Sequence, residues 1–331
     1  MSAADAKTLA RSAVRPLRRL DLSVARSYGI VVAFVVLFVT LSATSSVFLT
    51  KANLLNLAFQ SVPIGILACG GALVFIGGGF DLSVGAIASF SAIIAAKAFV
   101  GGGVPVWPAF LLGALVGLGW GIFNGLLVTI GRVNAFIATL ATNFIVYGLS
   151  VGITGGFLVE VSRKSWGTLG LGSVGGINYP TFVWLVFALF CGFLLSRTIF
   201  GRYTYAAGGN AEAARLSGVR VGVVRAATFA ISGLAAGIAG VILASEVATA
   251  QPDMDNLNNT FNAITAVILG GVSILGGEGA IWRAVLGAFF LTMLGNGFNL
   301  LNIDPVYQAV FKGVILLAAV SLDAWARRDR T

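Results

Sequence analysis

A chain of 331 residues with 58% hydrophobic and only 10% charged residues, and a mean hydropathy of +0.96, is excluded from the soluble globular classes, where about a quarter of residues carry charge. A soluble globule needs more polar cover than this chain can supply, so lipid is the solvent for most of it. The absence of histidine removes the commonest general base and metal ligand. The formal charge of +9 lies in clusters of positive residues that abut apolar stretches, a pattern of membrane topology and not of nucleic-acid binding.

In chain order, residues 1–27 form a polar, basic N-terminus with Lys7, Arg11, Arg15, Arg18, Arg19 and Arg26. The apolar stretch from Tyr28 resembles a signal-peptide core, but no small-residue cleavage site closes it, so it reads as an uncleaved first helix. Because one span needs about 20 apolar residues, the spacing predicts spans at 28–48, 54–76, 82–100, 105–130, 134–155, 180–198, 224–250, 259–275, 281–302 and 305–322. The expected fold is an all-α polytopic membrane protein with about ten transmembrane helices and cytoplasmic N- and C-termini. Its transmembrane body covers 28–322, with a cytoplasmic loop at about 199–223 and a tail at 323–331. Two further basic clusters, Arg197, Arg202, Arg215, Arg220 and Arg225, then Arg327, Arg328 and Arg330, fall on the same side as the N-terminus under this count. The loop with Gln251, Asp253 and Asp255 falls opposite.

Residues 54–100 are nearly continuous in apolar character but for Gly77-Gly78-Gly79-Phe80-Asp81. They read as two full spans or as a broken or re-entrant helix, tolerable at membrane depth only inside protein or beside water. A faint internal echo links 77–87 to 270–281 and 121–127 to 295–301. The 44 glycines suit close helix packing, and Cys69 and Cys191 read as buried thiols.

No phosphate-binding G-x-x-x-x-G-K-[S/T], H-E-x-x-H, C-x-x-C or G-x-S-x-G occurs, so an enzyme is unsupported and any ATPase resides on another chain. The most informative loop is Gly208 to Gly218. Asn210 is a good N-cap, Ala211-Glu212-Ala213-Ala214-Arg215-Leu216 favours a short helix, and Gly218 ends it. Such an exposed helix either docks into a groove on a soluble partner or is an ordinary surface helix. An intramembrane carboxylate costs about 3 kcal/mol, which makes Asp81, with Ser83 beside it, a functional candidate; its place in a glycine-rich break near the expected cytoplasmic edge favours helix capping or gating over a solute contact. Asn124, Asn143, Asn262, Thr265, Asn296 and Asn299 are polar residues inside spans. Uncharged amides suit a polyhydroxylated neutral solute, and interhelical hydrogen bonding is the equal alternative for each.

These motifs resemble those of binding-protein-dependent importer permeases. Glu212-Ala213-Ala214-x-x-x-Gly218 is similar to the E-A-A-x-x-x-G core of the coupling loop of ABC importer permeases, although the I-x-L-P tail of the longer motif is absent. Gly78 to Gly85 resembles the G-G-x-D-L-S-V-G signature of the ribose-type monosaccharide permeases. Asn124 to Val128 and Phe136 to Leu140 resemble that family's N-G-L-L-V and P-F-I-A-T-L blocks, with Ala135 in place of proline. Val267 to Gly271, Leu275 to Gly279 and Lys312-Gly313 resemble its C-terminal blocks.

The resemblance implies the channel subunit of an ATP-driven importer in a bacterial inner membrane, carrying a small sugar or polyol. Its partners would be a second permease copy in a homodimer, a cytoplasmic ATP-binding subunit that holds ATP and Mg, and a periplasmic sugar-binding protein. Residues Asn210 to Gly218 would couple to the ATPase, and no cofactor or metal is expected on this chain. The branched-chain amino acid permeases and an ion-coupled secondary transporter are the alternatives.

Overall fold

The computed structural model describes residues 22–254 and 256–328. Lys7, Arg11, Arg15, Arg18, Arg19, Asp255 and Arg330 of the sequence argument lie outside them. A helix, or a bent pair of helices, lies on each of the ten apolar segments. They are α1 (Leu22–Thr44), α2 (Lys51–Gln60) with α3 (Val62–Ile76), α4 (Val84–Val100), α5 (Val106–Thr129), α6 (Ala135–Thr154). Then follow β1 (Val159–Glu160), the one-turn α7 (Thr168–Leu171), a hairpin of β2 (Ser173–Val174) and β3 (Ile177–Asn178), and α8 (Tyr179–Arg197). The chain continues through α9 (Ile199–Gly209), α10 (Ala211–Leu216), α11 (Val221–Val247), β4 (Thr249–Ala250), α12 (Asn256–Leu269), α13 (Ile281–Leu300) and α14 (Pro305–Arg328).

The ten-span expectation is met only in its coarser form. Among the described residues five helices, α5, α6, α8, α11 and α13, are long and apolar enough to cross a membrane, or six if α2 and α3, bent by 42°, count as one. Part of the shortfall has a physical cause: α4 and α12 have only 17 and 14 residues, because α4 follows the irregular break at 77–83 and α12 runs into the irregular residues 270–280. Residues 54–100 are therefore a bent pair, an irregular break at 77–83 and a short helix.

The centre of the bundle is the crossing of α5 and α11. Gly113, Gly117, Gly121 and Gly125 recur every fourth residue on α5 and form one stripe. A Cβ on Gly117 would lie 2.7 Å from the Gly237 Cα, on Gly121 2.9 Å from the Gly233 Cα, and on Gly125 2.8 Å from the Ala226 Cα. The two backbones thus touch directly, the geometry small residues permit where lipid removes the hydrophobic drive between helices. Helices α3 and α4 pack on the other flank of α11 around Ile66, Leu73, Ile87 and Ile242, all fully buried.

At one end of the bundle, residues 155–178 form a small cap. Its β1 pairs antiparallel with β4, Val159 opposite Ala250. The fully buried Trp166 donates its indole N–H to the Ala244 carbonyl at 2.9 Å, and Ser245 Oγ donates to the Trp166 carbonyl at 2.6 Å. The α9–α10 segment lies at the opposite end, since α8 and α11 each run between it and this cap.

Candidate functional site

The glycine-rich break turns Asp81 into the bundle, where it is almost fully buried. One carboxylate oxygen accepts from the Ser83 backbone N–H at 3.0 Å and from Ser83 Oγ at 2.6 Å, an Asx-type turn leading into α4. The other accepts from Ser232 Oγ on α11 at 2.8 Å. Ser83 Oγ in turn accepts from Asn124 Nδ2 at 2.8 Å, and Asn124 Oδ1 accepts from Thr142 Oγ1 at 2.7 Å. Four elements, the break, α5, α6 and α11, are thereby joined by one chain of side-chain hydrogen bonds. The Asx turn is the geometry of a helix cap, formed inside the bundle. Ser232 lies 11 residues into α11, about 16 Å along the helix, near its middle.

The exposed backbone of the break is paired by side chains. Thr139 Oγ1 accepts from the Leu82 N–H at 3.1 Å, and Thr260 Oγ1 accepts from the Gly85 N–H at 3.1 Å. Phe80 packs edge-on against Phe75, with ring centroids 5.0 Å apart, and tilted against Phe136 at 5.7 Å.

Of the other pathway candidates, Asn143 is buried next to Thr142, and its Oδ1 has no hydrogen-bond partner among the described residues. Asn262 is half-buried on α12. Thr265 donates back to the Phe261 carbonyl at 2.7 Å. Asn296 exchanges amide hydrogen bonds with Asn53 on α2 at 2.8 and 3.2 Å, the interhelical role. Asn299 is exposed and accepts from Gln308 at 3.0 Å. The sequence therefore brings Asp81, Ser83 and Asn124 into one cluster and leaves Asn262, Thr265, Asn296 and Asn299 outside it.

At the far end of the bundle, α10 is a single short helix standing in the open. Asn210 Oδ1 accepts from the Glu212 and Ala213 N–H groups at 3.1 and 2.9 Å, the N-cap its identity predicts. Gly218, at φ +83°, closes the helix in the left-handed conformation, and the Val219 N–H reaches back to the Ala214 carbonyl at 3.0 Å. Ala214 is buried against Ala207, Val219, Val221 and Val224, while Glu212, Ala213, Arg215 and Leu216 face outward. Glu212 and Arg215 pair at 3.1 Å with both side chains mostly exposed; such a pair adds well under 1 kcal/mol. Leu216 is 83% exposed, an apolar side chain that none of the described residues covers.

The family described as branched-chain amino acid transport system / permease component matches residues 53–320. The chain belongs to this permease family. Among relatives, the ribose import permease of Bacillus subtilis is 38% identical over 87% of this permease and 89% of the relative. The L-arabinose transport system permease of Escherichia coli is 38% identical over 92% of both chains. The ribose import permease of Escherichia coli is 36% identical, covering 88% of this permease and 92% of the relative. No solved structure matches. The permease is a transport subunit and not an enzyme, and ATP hydrolysis belongs to a separate subunit.

Thr139, Thr142 and Ser232 were not singled out in the sequence, although Thr-x-x-Thr-Asn on an apolar helix was a visible signal. Asn53 gave none, because it sits beside a polar helix start where an amide is ordinary.

Proposed function

We propose that this permease forms half of the membrane pathway of an ATP-driven importer for a pentose, as a homodimer in the bacterial cytoplasmic membrane. In this reading ten segments cross or enter the membrane, both termini are cytoplasmic, and α10 lies on the ATPase side. A periplasmic binding protein delivers the sugar to the opposite end. ATP and Mg stay with the partner ATPase, and this chain holds no cofactor.

The observation that carries the reading is α10 itself: a capped, rigid helix in the E-A-A-x-x-x-G register, anchored by Ala214 and presenting Leu216 outward. An exposed leucine on such a helix suits a groove on a soluble partner. Of the polar residues in the bundle, Asn143, with its free amide oxygen, is the one positioned to meet a hydroxylated solute, while the Asp81 cluster holds the break in shape. Similarity to ribose and L-arabinose permeases supports a pentose.

The test is uptake of labelled D-ribose or L-arabinose into proteoliposomes containing the permease, its ATP-binding subunit and its binding protein. Uptake should require all three components and ATP. Uptake by the permease alone under an ion gradient would replace this reading with secondary transport. The family description favours a second substrate reading, a branched-chain amino acid, and uptake of leucine in preference to both pentoses would establish it.

A further inference from the structure

We infer that Arg225 is a positioning residue that ties the ATPase-facing segment to the break holding Asp81; this rests on the importer reading above. Arg225 lies in the second turn of α11 and is half-buried. Its Nε donates to the Gly77 carbonyl at 2.9 Å and its Nη2 to the Ala207 carbonyl at 3.1 Å. Gly77 closes α3, and Ala207 lies in the last turn of α9. Both carbonyls belong to the unpaired set at a helix C-terminus, where a cation is favoured by the helix dipole. One guanidinium thus caps two helices, and no carboxylate among the described residues competes for it.

The position of each helix end gives the contact its consequence. Ala207 is three residues before Asn210, the cap of α10, so any displacement of α10 as a body reaches the Ala207 carbonyl. Gly77 opens the break that ends at Asp81. Ser232, which holds the Asp81 carboxylate, lies seven residues beyond Arg225, on the same face of α11. Both ends of the break are therefore fastened to one helix face, and the lower fastening is shared with α9.

Backbone contact reinforces this junction. A Cβ on Gly276 would lie 2.9 Å from the Gly78 Cα and 3.0 Å from the Gly208 Cα. The Gly277 N–H donates to the Ile76 carbonyl at 2.9 Å, and Tyr205 Oη donates to the Gly279 carbonyl at 2.7 Å. The two segments related by the internal echo in the sequence meet here, with the end of α9 between them. Burial raises the pKa of the Tyr205 phenol, with Arg283 nearby opposing it, so the hydroxyl stays protonated as a donor.

The test compares wild type with Arg225→Lys and Arg225→Gln in proteoliposomes carrying the ATP-binding subunit and the pentose-loaded binding protein. The quantity read is sugar moved per ATP hydrolysed. Lysine keeps the charge but lacks the planar fork that reaches two carbonyls. A ratio lowered at least fivefold in Arg225→Gln and about twofold in Arg225→Lys is expected, with hydrolysis itself falling less than transport. A role confined to capping would lower transport and hydrolysis in step and leave the ratio at the wild-type value, which would overturn the inference. If Arg225→Gln does not reach the membrane, Arg225→Lys decides by the same ratio. A wild-type assembly that moves neither D-ribose nor L-arabinose would instead refute the pentose-importer reading, and this inference with it.

Discussion

Replacing Asp81 tests the central cluster most directly. Its carboxylate accepts three hydrogen bonds from buried donors: the Ser83 N–H, Ser83 Oγ and Ser232 Oγ. Asp81→Ala leaves each without its acceptor, at about 1–3 kcal/mol apiece. The serine hydroxyls recover part of that by turning to carbonyls of their own helices, so the expected loss is about 3–5 kcal/mol. Asp81→Asn keeps the shape and one acceptor for Ser83. Its amide would face Ser232 Oγ, which can rotate to accept, so the expected loss is about 1–2 kcal/mol.

Thermal unfolding in lipid nanodiscs, followed by tryptophan fluorescence, should rank wild type above Asn and Asn above Ala. In a double-mutant cycle, Ser232→Ala should cost little once Asp81 is already alanine, a coupling of at least about 0.5 kcal/mol. Additive losses, or an Asn variant as unstable as the Ala variant, would show that these hydrogen bonds do not hold the break.

Four further outcomes follow from the packing. Asn210→Ala removes the cap from α10 and should cost about 1 kcal/mol of local helix stability, read as faster amide hydrogen exchange at 211–216 and weaker ATPase stimulation. Leu216→Asp should leave membrane insertion intact but abolish co-purification with the ATP-binding subunit, since it places a charge where an apolar anchor docks. Gly117→Leu should prevent accumulation of folded protein, whereas Gly119→Ala, whose added Cβ meets nothing within 4 Å, should behave as wild type on quantitative immunoblots of membranes. Asn53→Leu alone should destabilise by leaving Asn296 unpaired, and Asn53→Leu with Asn296→Leu should restore much of the loss in the same unfolding assay, because removing both polar partners relieves the penalty.

What the sequence shows and what it hides divide along the range of the interactions. The α10 helix was readable in full because its determinants are local: an asparagine cap, a run of helix formers and a terminating glycine within nine residues. The helix positions were likewise legible from apolar runs. The number that cross completely is not, because the irregular break before α4 and the first turn of α4 find their hydrogen-bond partners in Thr139 and Thr260 on other helices. For Asn296 the sequence leaves a pathway role and an interhelical bond equal, because nothing local announces its partner Asn53, 243 positions away. Arg225 was read only as one positive charge in a cluster, since its two acceptors are backbone carbonyls that carry no residue signature. The cap at 155–178 carries no periodic signal in the sequence, because its strands are two residues each and its anchor, Trp166, is a single side chain.

The contact between α5 and α11 carries a mechanical consequence. Where two helices meet through glycine backbone, there are no rotamers to change, so the contact has one favourable spacing instead of several. Helices packed through long side chains can slip between alternative interdigitations, but this pair would have to separate before it could shift. In any cycle that alternately exposes the two membrane faces, α5 and α11, with the break at 77–83 fastened to α11, would then be the stator, and the helices packed on it through longer side chains would be the parts that turn.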